Sequence, residues 1–364
     1  MSSHIYLLTG TTGLLGSEFL NTLLTQDPTA YCYCLIRDEP QQTAAQRLTH
    51  IVEQSGLTHN AHRVSALSGD ITLDKLGLDT QTYDQLSQKI THIVHSAALV
   101  KFTKPIAELE KINVHGTENV ITFAHCVAKN NPNFFVLGYV STAYVAGKRK
   151  GIVTEQDFTD RYGFKNNYER TKFSAEALVH AAKETLPVII FRPSIILGHS
   201  HDGCTTRNNV IFPLVQIAKK SPWHIVPFNK NCLLDFISVD QVAKSMLFLI
   251  NDQDALGQIF HLTCGIGSER RIQQQLDVFN RLYRINFLTI PTWTFPLIKH
   301  LLPLTRQGAY IIRGLEPFHL YTVANPQFCQ SYTQSMLNKY EVSCDNSADL
   351  FEKTVHYMDQ HLFN

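Results

Sequence analysis

The sequence carries almost no excess charge of either sign. Its 32 basic and 31 acidic residues leave a formal +1, so no global field draws the chain to nucleic acid or to an anionic membrane, and any anion site must be local. Long apolar runs are absent too. None reaches the roughly 18 to 20 residues that cross a bilayer, so no transmembrane segment is expected. The first strand-like run, HIYLLTG, starts at His4 with no basic leader and cleavage site before it, so the chain is expected to begin inside its fold. Repeats and low-complexity tracts are lacking. Eight cysteines are scattered, mostly within apolar runs, without the secretory context of a disulfide framework. Core thiols in a reducing cytoplasm are the expectation. Cys32 and Cys34 share one face of a strand, but two ligands do not make a zinc site. Of 17 histidines, the pairs His59/His62, His92/His95 and His199/His201 lack a companion cluster of carboxylates or cysteines, so no metal is expected.

What is present is alternation. Strand-like runs occupy residues 4–9, 31–36, 63–70, 92–96, 134–141 and 187–194, with amphipathic stretches such as LLGSEFLNTLL between them. Continuous apolar strands separated by helices imply a parallel sheet covered on both faces. The expected fold is α/β, a doubly wound parallel sheet of Rossmann type with a smaller, interleaved C-terminal substrate domain. Residues 1–200 form the first unit and 233–263, read as strand then helix, return to it. Residues 201–232 and 264–364 form the second.

Two stretches bear on chemistry. TGTTGLLGSEFL follows the first strand and opens the first helix, placing Gly10, Gly13 and Gly16 at the turn. Glycine lets backbone approach a phosphate, and the helix N-terminus supplies N–H donors and partial positive charge, which suits a dinucleotide pyrophosphate. After the second strand comes Arg37, where an acidic residue would favour NAD. An arginine there suits a 2′-phosphate and hence NADPH, with Arg47 as a second contact and Asp38 as a counter-indication. In the second stretch, NNYERTKFSAEALVHAAK, positions 168, 172, 175, 179 and 182 are Tyr, Lys, Ala, Val and Ala. They form one helical stripe, and its upper end carries a lysine onto a buried face, where an ammonium needs a partner or a task.

Together these residues resemble the extended short-chain dehydrogenase/reductase family. TGxxGxxG (Gly10 to Gly16), GD (Gly69–Asp70), HSAA (His95 to Ala98), NVxGT (Asn113 to Thr117), STAYV (Ser141 to Val145), YxxxK (Tyr168 to Lys172) and RPS (Arg192 to Ser194) fall in the family's order over roughly residues 4–265. LIRD with the later Arg47–Leu48, HSAALVKF, VSTAYVAGKRKGIVTE and LLDFISVDQVA are similar to the thioester reductase-like branch. That branch holds terminal reductase domains of nonribosomal peptide and polyketide synthases, carboxylic acid reductases and fatty acyl-CoA reductases.

The resemblance implies a catalytic set of Thr142, Tyr168 and Lys172, with Ser141 as a stand-in for Thr142. It assigns cofactor contacts to Gly10, Thr11, Thr12, Gly13, Leu14, Leu15, Gly16, Arg37, Arg47, Asp70, Ile71, Ala97, Ala98, Asn113, Ser141, Tyr168, Lys172, Pro193 and Ser194. The implied reaction is NADPH-dependent reduction of an acyl thioester to an aldehyde, and with a second hydride to an alcohol. Lys172 is expected to lower the Tyr168 phenol toward neutrality. The thioester would arrive on a separate carrier protein or on CoA. Trp293, Phe295, Leu297, Leu301, Leu302, Tyr310, Ile311, Ile312 and Phe318 would cap an acyl channel or pack a small core, and Lys148, Arg149 and Lys150 would meet a phosphate or solvent. The rival readings are an enzyme acting on a sugar nucleotide or secondary alcohol, an NADP(H)-sensing regulator, and a cysteine-based acyl-enzyme.

Overall fold

The computed structural model describes residues 4–206, 209–220, 224–301, 303, 305–342 and 348–363; Leu302 and Cys344 lie outside them. Seven strands build one sheet: β1 (Ile5–Thr9), β2 (Tyr31–Ile36), β3 (Val64–Ser68), β4 (His92–His95), β5 (Val136–Val140), β6 (Val188–Pro193) and β7 (Ile259–Leu262). All neighbours are parallel, in the order β7-β6-β5-β4-β1-β2-β3. The order reverses between β1 and β4, the switch point where sheets of this class open a crevice at their carboxyl ends.

Burial on both faces explains the apolar strands. Helices α1 (Leu14–Gln26), α2 (Ala44–Gln54) and α6 (Val239–Ile250) cover one face, with Leu20, Leu23, Val242, Met246 and Ile250 in its core. The other face carries α3 (Thr80–Ser87), α4 (Gly116–Asn130) and α5 (Asn167–Ala182), with Phe123, Val127, Ala175 and Val179 inside. The Asn166 side chain caps α5 by accepting the Glu169 N–H at 2.9 Å. Lys172, Ala175, Val179 and Ala182 form the buried stripe below a half-buried Tyr168.

The stretch at 233–250 divides. Phe236–Ile237 pairs with Ile195–Ile196 rather than with the main sheet, while α6 lies on α1 and the seventh strand follows at β7. A second lobe has its own core, including Leu197, Val215, Phe236, Leu276, Phe279, Phe351 and Val355. Its helix α7 (Ile272–Tyr283) contributes Ile272, Leu276 and Phe279. Ties of two kinds, strand pairing and side-chain hydrogen bonds, bind this lobe back. Gln327–Phe328 runs parallel to Ile152–Val153, and the Tyr321 hydroxyl donates to Glu169 Oε1 at 2.6 Å while accepting from Asn166 Nδ2 at 2.9 Å.

Candidate active site

Two positions, one in the turn after β1 and one in the first turn of α1, can only be glycine. Gly10 has φ of 80°, and a Cβ there would lie 2.6 Å from Ala97 N; a Cβ on Gly16 would lie 2.1 Å from Gly10 O. The turns after β1 and β4 therefore touch, backbone to backbone, at the switch point. No side chain caps α1 at Gly13, and its first turn holds no acidic residue, so its N–H groups remain for an anion. This cradle fits a dinucleotide pyrophosphate. Gly10, Thr12, Gly13, Leu14, Leu15, Gly16, Ala97 and Ala98 line a cleft of about 580 Å³. Thr11 is buried and does not line it.

At the rim over β2, the Arg37 side chain is 61% exposed and its Nη1 lies 3.9 Å from Asp70 Oδ2. Arg47 donates to the Arg37 carbonyl at 2.7 Å and pairs with Glu39 at 3.0 Å. Asp70 and Ile71 line the same end. Asp38, the acid that counts against an NADPH preference, is turned away. Its carboxylate accepts the Ala44 N–H at 2.6 Å and the Ser68 hydroxyl, and those bonds hold it below the usual aspartate range.

Thr142, Tyr168, Lys172, Pro193 and Ser194 line the same cleft. Thr142 follows β5; its hydroxyl is 3.3 Å from the Pro193 carbonyl and accepts the Tyr144 N–H at 3.3 Å. Tyr168 lies against Phe102, ring centroids 5.7 Å apart, and its hydroxyl makes no hydrogen bond among the described residues. Burial pushes its phenol above the ordinary tyrosine range, so the expected lowering by Lys172 does not appear. The lysine is engaged elsewhere: Nζ donates to the Tyr139 hydroxyl at 2.7 Å and to the Val140 carbonyl at 2.8 Å. Burial lowers its ammonium to about 7, with Glu176 opposing.

Ser141 lines the cleft, but its hydroxyl is donated to Glu176. Glu176 also takes Nε and Nη2 of Arg192 at 3.0 and 2.5 Å, and Arg192 Nη1 reaches the carbonyls of Glu155 and Asp157 at 3.1 Å each. Burial alone would raise Glu176, yet Arg192 and the hydrogen bonds hold it at about 2. Both ions are fully buried, and each has several partners, the condition under which such a pair persists. Asn113 stands behind the cleft. Its Oδ1 accepts the Leu99 N–H at 2.7 Å and its Nδ2 donates to Thr171 Oγ1 at 3.1 Å, pinning the 96–102 loop to α5.

Beyond Tyr168 the cleft continues into the second lobe along Tyr144, Ile195, Leu214, Phe228, Phe236, Leu276, Phe279, Phe318, Tyr321 and Phe351. Of the expected cap, Phe318 is here, whereas Trp293, Leu297 and Leu301 are 70, 58 and 64% exposed. Ile311 packs with Ile217 and Leu315. Arg149 pairs with Asp157 at 2.5 Å, and the GKRKG loop does not reach the cleft. Among the described residues no group of three or more His, Cys, Asp or Glu side chains is disposed to hold a metal ion.

The family profile described as Male sterility protein, an NAD-binding domain, matches residues 8–246. The chain belongs to this family. Its members are NAD(P)-dependent reductases, and with them it takes its place in the thioester reductase-like branch of the extended short-chain reductases. It is similar to a linear gramicidin synthase polypeptide of Brevibacillus parabrevis, 30% identical over 263 residues, covering 70% of this chain and 5% of that protein. A non-canonical nonribosomal peptide synthetase of Aspergillus campestris is 29% identical over 288 residues, covering 76% of this chain and 27% of that one. The chain thus spans about a quarter or less of the length of these curated relatives. The crystal structure of the terminal R domain from the myxalamid PKS-NRPS biosynthetic pathway superposes with a TM-score of 0.83 at 25% identity, covering 99% of this chain and 90% of that one. No described helix is long and apolar enough to cross a membrane.

Proposed function

We propose that this chain is an NADPH-dependent reductase that converts an acyl thioester, held on a separate carrier protein or on CoA, to an aldehyde, and by a second reduction to an alcohol. One observation carries the reading: a single cleft joins the glycine cradle to Thr142, Tyr168 and Lys172 and then runs on into an apolar lobe. Likeness to a terminal reductase domain supports it. The cradle and the rim at Arg37 would hold the dinucleotide, which when bound supplies the hydride for the carbonyl carbon.

The chain's own residues supply the rest. As negative charge grows on the thioester oxygen, the Thr142 hydroxyl donates a hydrogen bond and Tyr168 transfers its proton. Protonation traps a hemithioacetal, which expels the thiol and leaves the aldehyde. The Lys172 charge stabilises the phenolate left behind. Phe102, Phe318 and Tyr321 exclude water from the reacting carbon.

The apolar lobe wall favours an acyl chain over a sugar nucleotide. No cysteine lines the cleft among the described residues, and burial raises Cys232 to about 11, which disfavours a thiolate acyl-enzyme. Three polar groups converging beside a cradle favour turnover over mere sensing. The free state of the described cysteines accords with a cytoplasmic setting. The test is NADPH consumption with a medium-chain acyl-pantetheine, thiol release titrated in parallel. One NADPH consumed per thiol released is expected where the product stays the aldehyde and two where it goes on to the alcohol, with Tyr168→Phe slower by about a hundredfold or more. NADPH binding without thiol release from any thioester would remove the reading.

A further inference from the structure

Several polar groups in the cleft have no part in the reduction, and one of them lies on α7. Helix α7 presents Ile272, Gln275, Leu276 and Phe279 to the cleft, three apolar side chains and one primary amide on a single stripe. Gln275 is 7% exposed, and its amide makes no hydrogen bond among the described residues. The other amide of this wall is fully used. Asn209 donates to the Ile196 carbonyl and to Thr205 Oγ1 and accepts the Ile211 N–H. The amide opens onto a cleft that Phe236 and Phe351 also line, so an aliphatic chain laid over it removes its water without replacing the hydrogen bonds, whereas a ligand group that pairs with it avoids that cost.

We infer that Gln275 is a specificity residue, and that the acyl chain entering the lobe is aliphatic but carries one hydroxyl or secondary amide remote from the thioester. Both groups donate and accept, as the glutamine amide does. The aliphatic part of such a chain packs against Leu276, Phe279 and Phe351, while its polar group faces Gln275. An unsubstituted chain leaves the amide unpaired, and sites built to pair a polar group discriminate strongly against ligands that lack it. The inference rests on the reductase reading for the thioester end and on Gln275 alone for the remote group.

Binding separates the two. The probes are acyl-pantetheine analogues with an amide in place of the thioester, so that none is reduced: a plain decanoyl chain, chains with a hydroxyl at successive positions from C5 to C9, and one with an internal secondary amide. Calorimetry on the full chain is expected to show at least one substituted analogue binding about tenfold tighter than the plain one. In Gln275→Leu that preference vanishes and the plain chain binds at least as well as before. Gln275→Met serves if the leucine variant does not fold. The same ranking in wild type and variant, a wild-type preference for the plain chain, or no binding of any analogue overturns the inference. If the preference switches as expected while no true thioester is reduced, the reductase reading fails and the Gln275 contact stands.

Discussion

The Lys172 ammonium lies 2.7 Å from the Tyr139 hydroxyl and 4.3 Å from the centroid of its ring. The buried cation is therefore anchored to β5, beneath the cleft, by a side chain that does not line it. Tyr139 is fully buried, and burial raises its phenol well above the ordinary value, so the hydroxyl stays protonated and accepts from the ammonium. A hydrogen bond to the charged form favours that form. Removing it in Tyr139→Phe lowers the lysine further from its value of about 7. The basic limb of the kcat/KM profile is expected to move to lower pH, with kcat reduced about tenfold. A variant that loses only thermal stability, its pH profile unmoved, would make Tyr139 a packing residue.

Cofactor choice is expected to rest on Arg37. Its guanidinium is exposed at the rim, while Asp38 is occupied by Ala44 N–H and Ser68. Arg37→Ala should raise KM for NADPH about tenfold and leave that for NADH nearly unchanged, because only the former carries the 2′-phosphate. Steady-state kinetics with both cofactors decide it, and equal losses would point to a structural role.

Acid sensitivity is expected to come partly from His92. It stacks on Tyr6 at 4.6 Å, its Nε2 has no partner among the described residues, and burial holds it at about 3, against about 6.5 when free. Between those values the unfolded chain binds a proton that the folded chain does not, so His92 makes stability rise with pH from about 3 to 6.5 and fall away as acid is added. His95 and His261, also at about 3, act in the same sense. Glu18, Glu169 and Asp235, raised by burial, act in the opposite one. The difference between wild type and His92→Leu isolates one proton. Denaturation at pH 4, 5 and 6 should show the variant's dependence shallower by about 1.4 kcal/mol per pH unit; parallel slopes would refute the assignment.

The central strands were legible because β4, β5, β6 and β7 are buried at every position, whereas the edge strand β3 has no buried residue; YCYCLI is β2 residue for residue. The α5 stripe was legible for the complementary reason, a helix with one buried face. Local sequence says less about partners distant in the chain. Tyr139 looks like any core aromatic until Lys172 is placed 33 residues on, and Glu176 looks solvated until Arg192 arrives from β6. The second lobe is harder still. Its core gathers Leu197, Phe236, Leu276 and Phe351, and its short strands pair across long separations. Aromatic content suggests that 291–321 caps a channel or packs a small core, and the segment divides: Phe295, Ile311 and Ile312 are buried, while Trp293, Leu297 and Leu301 face outward. Gln275 does leave a trace: a polar residue on the apolar stripe Ile272, Leu276, Phe279 breaks the amphipathic pattern of α7.

The ties of the second lobe to the first have a consequence for anyone dividing this chain into transplantable parts. Sequence likeness to the dinucleotide-binding family ends near residue 246, and a cut soon afterwards looks natural. It would strip Tyr321 from Glu169, one residue along from Tyr168, take Phe328 from its place beside Val153, and expose Leu197 and Phe236 where Val355 and Met358 now cover them. The smallest exchangeable module runs from the first strand through the helix that carries Met358, and a fusion junction belongs outside those limits.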